Sequence, residues 1–261
     1  MTLSLVQYVL GVWSGAMVGF VLGLVGGGGS ILAVPLIVYL VGVRNPHMAI
    51  GTSAFAVAAN AAIGLVHHAR AGHVKWRCAG LFAACGILGA AAGSTLGKAF
   101  DGQKLLFLFA LLMVGVGILM LRRRASFGNP DVKLGRENAG KLVGYGLGAG
   151  AFSGFFGIGG GFLIVPGLTA ATGMSMINAV GSSLVAVAAF GLTTAINYSL
   201  SGLVDWPLAF AFVGGGIIGS FAGTHLARHL SKERGRLASV FAVLIFVVAA
   251  YMLWKSAATW G

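Results

Sequence analysis

The sequence predicts an all-α integral membrane protein built of two inverted-topology repeats, and three observations lead there. Hydrophobic residues make up 58% of the 261-residue chain and charged residues only 8%, whereas a soluble domain carries roughly 25% charged residues to cover its surface. A glycine-rich phrase occurs twice, GLVGGGGSILAVP at 23–35 and GFFGIGGGFLIVP at 154–166, 131 residues apart. Equivalent loops of the two halves carry different charge, as they would on opposite sides of a bilayer.

The elements follow in chain order. Residues 3–25 are apolar and long enough to span, and the glycines at 26–29 then interrupt the run before a short apolar piece at 31–43. Stretches at 47–66, 78–97 and 105–121 approach the roughly 20 residues needed to cross a hydrocarbon core, with no strand-like alternation of polar and apolar residues. The basic segment 122–141, with Arg122-Arg123-Arg124, is a cytoplasmic linker. The second half repeats the plan, with short pieces at 142–156 and 162–175 flanking the glycines, then spans at 176–199, 207–227 and 237–254. This divides the chain into an N-terminal membrane repeat (1–121), the linker (122–141) and a C-terminal membrane repeat (142–261). Each repeat has a broken-helix hairpin plus three full-length helices, about 8–10 segments in all. The hairpins are either re-entrant or pairs of short spans. Trp76 and Trp206 open equivalent helices and read as interface anchors.

The duplication extends beyond the glycines. Ala49-Ile50-Gly51-Thr52-Ser53 matches Ala179-Val180-Gly181-Ser182-Ser183, and Gly72 and Trp76 match Gly202 and Trp206. The ladder Gly89, Gly93, Gly97 has a counterpart in Gly215, Gly219, Gly223, a spacing that lets helices approach closely in lipid. The gap 67–77 holds Arg70, Lys75 and Arg77, while its partner 197–206 holds only Asp205. The next pair reverses the comparison: 98–104 has Lys98 and Lys104, and 228–236 has Arg228, Lys232, Arg234 and Arg236. An odd number of crossings per half follows, with both termini extracytoplasmic.

The glycines carry the chemistry. Each costs about 1 kcal/mol relative to Ala inside a helix, but permits positive φ and close backbone approach. New helices are expected to begin near Ser30 and Phe162, with unpartnered N–H groups and a positive dipole end. Two such ends meeting at mid-membrane would bind an anion through backbone alone. The candidate binding residues are therefore Gly26, Gly27, Gly28, Gly29, Ser30, Gly157, Gly159, Gly160 and Gly161, joined by the hydroxyls of Thr52, Ser53, Ser182 and Ser183 that follow each hairpin. Pro35 and Pro166 are structural hinges inside the returning helices. Asn60, Asn178, Thr193, Thr194 and Asn197 are further polar residues within spans, either lining a path or bonding between helices.

The sign of the ligand comes from what the spans omit. Asp101, Asp131, Glu137, Asp205 and Glu233 all lie in loops or at helix ends, so no carboxylate is placed to bind a divalent cation or relay protons. The net charge of +12 sits in loops and near the termini, as topology demands, and does not form a nucleic-acid face. Cys78 and Cys85 read as packing residues, with no metal or disulfide spacing. His67, His68 and His73 belong to a basic interface; His47 and His225 are candidates for titration during transport. No cofactor motif and no Ser/His/Asp set is present, which leaves a membrane-embedded enzyme with little support. The N-terminus lacks the basic start of a cleaved signal peptide.

The paired motifs ending in Val34-Pro35 and Val165-Pro166, with the Gly-Thr-Ser and Gly-Ser-Ser that follow, resemble the TauE/SafE family of sulfite exporters across residues 8 to 254. The resemblance implies a multi-pass carrier of the bacterial inner membrane, moving sulfite, sulfoacetate or related organosulfur anions, with export the usual direction. It places Gly26–Ser30 with Pro35, and Gly157–Gly161 with Pro166, at the family's signature positions. The first copy reads Gly-Gly-Gly-Gly-Ser and the second Gly-Ile-Gly-Gly-Gly, a departure from exact repetition. The expected mechanism is alternating access around a midplane anion site; an anion channel is the alternative. Expected partners are a small anion and the bilayer, with no nucleic acid and with homo-oligomerisation left open.

Overall fold

The computed structural model describes residues 3–25, 27–122, 134–229, 243 and 245–255. Among them the chain forms ten helices and no β-strand. Helix α1 (Leu5–Val25) leads into α2, a composite of a 3₁₀ turn (Gly27–Leu32), an α turn (Ala33–Pro35) and a π turn (Leu36–Leu40). Three long helices follow: α3 (Pro46–Arg70), α4 (Trp76–Ala99) and α5 (Gly102–Arg122). The second half runs α6 (Arg136–Phe156), α7 (Gly161–Thr172), α8 (Met176–Ser199), α9 (Trp206–His229) and α10 (Ile245–Lys255).

Five of these, α1, α3, α4, α8 and α9, are long and apolar enough to cross a membrane. Helices α5 and α6 have 21 residues each, about 31 Å at the α-helical rise. Residues 123–133 of the basic linker, and 230–242 before the last span, lie outside the described residues.

Local chemistry sets the helix ends. Asn45 caps α3 by accepting the His47 N–H at 3.0 Å, with Pro46 in the first turn. The Asp101 carboxylate accepts the N–H groups of Gln103 and Lys104 at 3.1 and 3.0 Å to start α5. Asp205 does the same for Leu208 in α9. Two of the acids read from the sequence, Asp101 and Asp205, are thus helix caps, and Glu137 lies in the first turn of α6. In α2, Pro35 has no N–H to donate, and the helix widens beyond it: the Val41 N–H reaches the Leu36 carbonyl at 3.0 Å, five residues back.

Packing couples the two halves through glycine. Along α1 and α9, a Cβ at Gly15 or Gly19 would strike the carbonyls of Phe212 and Gly216, and one at Gly215, Gly219 or Gly223 those of Val12, Ala16 and Phe20. Along α4 and α6, Gly89, Gly93 and Gly97 face the carbonyls of Leu147, Ala151 and Phe155, while Gly146, Gly150 and Gly154 face Phe82, Gly86 and Ala90. Lipid tails are as apolar as the side chains, so such backbone contact is what holds helices together. Both zippers join a helix of one half to a helix of the other, so neither half closes its packing alone.

Helices α3 and α8 cross antiparallel at the centre. Gly51, near the start of α3, lies against Tyr198 at the end of α8, and Gly181 lies against His68 at the far end of α3 and His73 in the loop beyond it. The loops gather at two ends. Gln7 donates to the Val41 carbonyl at 3.1 Å, and Gly102 meets Pro46. At the same end, Lys98 reaches Ser201 at 2.8 Å and Lys255 lies 5.2 Å from the ring centre of Tyr39. The loop 71–75 meets the start of α8 at the other end, where the Lys75 N–H binds the Ser182 hydroxyl.

Candidate functional site

The second glycine phrase is a true helix break. Helix α6 stops at Gly157, whose φ of +66° is left-handed; Gly159 and Gly160, at +65° and +67°, complete the turn. An L side chain at such φ costs roughly 1–2 kcal/mol, which is why glycine stands there. Gly160 is the N-cap of α7 and has no side chain to satisfy the first amides. The Leu163 and Ile164 N–H groups close onto the Gly160 carbonyl at 2.8 and 3.0 Å, and the turn presents the positive end of the α7 dipole.

Its depth follows from its neighbours. A Cβ at Gly159 would stand 2.6 Å from a methyl of Val57 and 3.3 Å from one of Val187. Both valines lie close to halfway along the two central helices. The turn thus sits at mid-length of the bundle. Ser53 ties it down: its hydroxyl is 2.9 Å from the Ile50 carbonyl and 3.4 Å from the Gly157 carbonyl. Beside Gly160, Ser153 is fully buried and its Oγ has no hydrogen-bond partner among the described residues.

The first glycine phrase differs. Gly27, Gly28, Gly29 and Ser30 continue in a 3₁₀ turn, and Gly29 does not have positive φ. Gly29 is required for a different reason, because a Cβ there would lie 2.6 Å from the Leu22 backbone nitrogen. The two copies therefore bend the chain by different means, in keeping with Gly-Gly-Gly-Gly-Ser against Gly-Ile-Gly-Gly-Gly. Ser30 is fully buried beside this turn. Gly26 lies outside the described residues.

The hydroxyl pairs divide into two roles. Thr52 Oγ1 accepts the Asp205 N–H at 3.0 Å, and Ser182 Oγ accepts the Lys75 N–H at 2.9 Å. These repeat-related bonds fix the loops that begin α9 and α4. Ser53 and Ser183 turn onto their own helices, at the carbonyls of Ile50 and Val180; among the described residues, Ser53 also reaches a glycine turn and Ser183 does not. Pro166 lies inside α7, where Thr169 bonds the Val165 and Pro166 carbonyls.

Other polar residues of the spans sort similarly. Asn197 receives Lys98 at 2.8 Å and donates to Ser94 and Thr95 at 2.6 and 2.9 Å, a network at one end of the bundle. Asn178 is buried. Asn60 and Thr194 are buried with no side-chain partner among the described residues. Ser153 is the residue that the sequence reading passed over, although a lone hydroxyl just ahead of the second glycine phrase was there to be seen. Cys78 and Cys85 are free thiols, the first buried.

The comparisons agree on a class. Residues 12–252 match the family described as "Sulfite exporter TauE/SafE". The chain is 51% identical over 255 residues to a "Probable membrane transporter protein" of Xylella fastidiosa (strain 9a5c), covering 97% of this chain and 98% of the relative. It is 25% identical over 223 residues to the "Probable membrane transporter protein YdhB" of Bacillus subtilis (strain 168), covering 83% and 89%. No solved structure matches the chain.

Proposed function

The chain belongs to the TauE/SafE family of sulfite exporters, and on that premise we propose that it is a secondary transporter exporting small sulfur-containing anions such as sulfite or sulfoacetate. It is a multi-pass membrane transporter and not an enzyme. The observation that carries the proposal is the left-handed glycine turn seated between Val57 and Val187 at mid-length of the central helices. Irregular backbone at that depth is tolerated only against protein or a water-filled path. Its dipole favours negative charge, and Asp101, Glu137 and Asp205 lie at the helix ends, away from it.

The two repeats are inverted and alternate access to this site by rocking against each other. Three observations support the inversion. The basic loop 67–77 and its acidic partner 197–206 gather at opposite ends of the bundle. The α1–α9 and α4–α6 zippers are related by exchanging the repeats. So are the bonds from Asp205 to Thr52 and from Lys75 to Ser182. By the positive-inside rule the 67–77 end is cytoplasmic, and both termini are extracytoplasmic in a bacterial inner membrane.

Binding is tested by thermal-shift titration of the purified protein with sulfite, thiosulfate, sulfoacetate, taurine and simple carboxylates. Stabilisation by sulfite or a sulfonate is expected, and it should be lost in Gly160→Leu. Stabilisation only by carboxylates, or by none of these, would overturn the substrate class.

A further inference from the structure

We infer that Asn60 is a ligand-contacting residue of this transporter, its side-chain amide hydrogen-bonding the oxygens of the transported oxyanion; the inference rests on the anion-transporter function proposed above. Asn60 is 4% exposed, and neither its Nδ2 nor its Oδ1 has a hydrogen-bond partner among the described residues. An unpaired amide is expensive in the interior of a membrane protein, where no water is on hand to replace the missing partner.

The amide is aimed into a built notch. A Cβ at Gly216 of α9 would collide with the Asn60 amide, so the absence of a side chain at 216 is what makes room for it. Asn60 lies one helical turn along α3 from Val57, the residue that flanks the Gly159 turn. The amide therefore lies within about one helical turn of the depth of the Gly159 turn, roughly 5 Å along the axis, and offers a donor and an acceptor at that level.

The repeat gives an internal comparison. The residue equivalent to Asn60 is Phe190, and the glycine equivalent to Gly216 is Gly86. Phe190 fills the notch at Gly86 and stacks on Phe82, with ring centres 6.2 Å apart and planes 23° apart. Equivalent glycine notches are thus occupied by an aromatic ring in one repeat and by an amide in the other. An apolar side chain evidently suits such a notch. The amide in its place is explained by a polar guest.

The test compares Asn60→Leu, which keeps the shape and removes the polar atoms, with Asn60→Asp, which keeps the shape and adds negative charge. Sulfite and sulfoacetate are the probes. For Asn60→Leu, the sulfite dissociation constant should rise at least about tenfold, the loss expected for a hydrogen bond to a charged group. Its melting temperature without ligand should hold or rise, because an unpaired buried amide has been removed. Asn60→Asp should abolish anion binding. If Asn60→Leu does not survive purification, Asn60→Ser reads the same affinity. Unchanged affinity in the variant that folds overturns the inference. So does a lower ligand-free melting temperature with unchanged affinity, which would mark Asn60 as a packing residue. A wild-type protein that binds neither probe overturns the substrate class together with the inference.

Discussion

Replacing Gly160 by alanine should damage both stability and transport by an amount the geometry sets. Its φ of +67° lies in the left-handed region, where an L residue costs roughly 1–2 kcal/mol. The new Cβ would also stand 2.8 Å from Ser153 Cβ and 3.0 Å from Ser153 Oγ, well inside the usual contact of about 3.5–4.0 Å. Overpacking of that kind adds about 1–3 kcal/mol. The total is on the order of 2–5 kcal/mol, and for a chain of this size about 2–4 °C of melting temperature is lost per kcal/mol. Gly144→Ala is the control, since nothing lies within 4 Å of a Cβ there; it should leave stability unchanged or raise it. Thermal unfolding followed by size-exclusion chromatography, with sulfite flux measured below both transitions, gives the comparison. Adding Ser153→Gly should restore the steric share and leave the backbone share. If Gly160→Ala melts with Gly144→Ala and transports like wild type, then neither the left-handed turn nor its role at the site survives.

Other outcomes follow from the same contacts. Gly93→Leu and Gly219→Leu place side chains against the carbonyls of Ala151 and Ala16, so both should lose monodisperse protein on extraction, while Gly80→Leu, with nothing within 4 Å, should not. Thr52→Val and Ser182→Ala each strand a backbone N–H and should cost about 1–3 kcal/mol, read as similar drops in melting temperature for the two; a drop in only one would break their equivalence. In a background lacking Cys78 and Cys85, an impermeant maleimide applied to intact cells should label Leu200→Cys and spare Ala71→Cys. Labelling of both from one side would rule out the inverted arrangement.

Much of this was legible in the sequence, because glycine is costly in a helix and its placement therefore carries information. The two glycine phrases, the ladder at 89–97 and its counterpart at 215–223 all mark close backbone approach. What the ladders approach was not legible, since each packs against the opposite half, and repeat spacing says nothing about partners. The left-handed turn appears in the second copy alone, among the described residues. Identical residue types permit either a left-handed turn or a 3₁₀ turn, and the neighbouring packing chooses: Gly29 against the Leu22 backbone, Gly160 against Ser153. The hydroxyls of 52–53 and 182–183 stood out as polar residues in apolar surroundings, but hydrogen-bond partners are a property of the fold. Two of the four prove to hold loop backbone rather than face a glycine turn.

The central claim is that the protein carries an anion through a site exposed to one side at a time. Counterflow of radiolabelled sulfite in proteoliposomes tests it most directly. The account predicts that unlabelled sulfite inside the vesicles accelerates uptake of label, that uptake saturates, and that Gly160→Leu abolishes both. Uptake that is indifferent to internal sulfite and does not saturate would contradict alternating access and describe a channel instead.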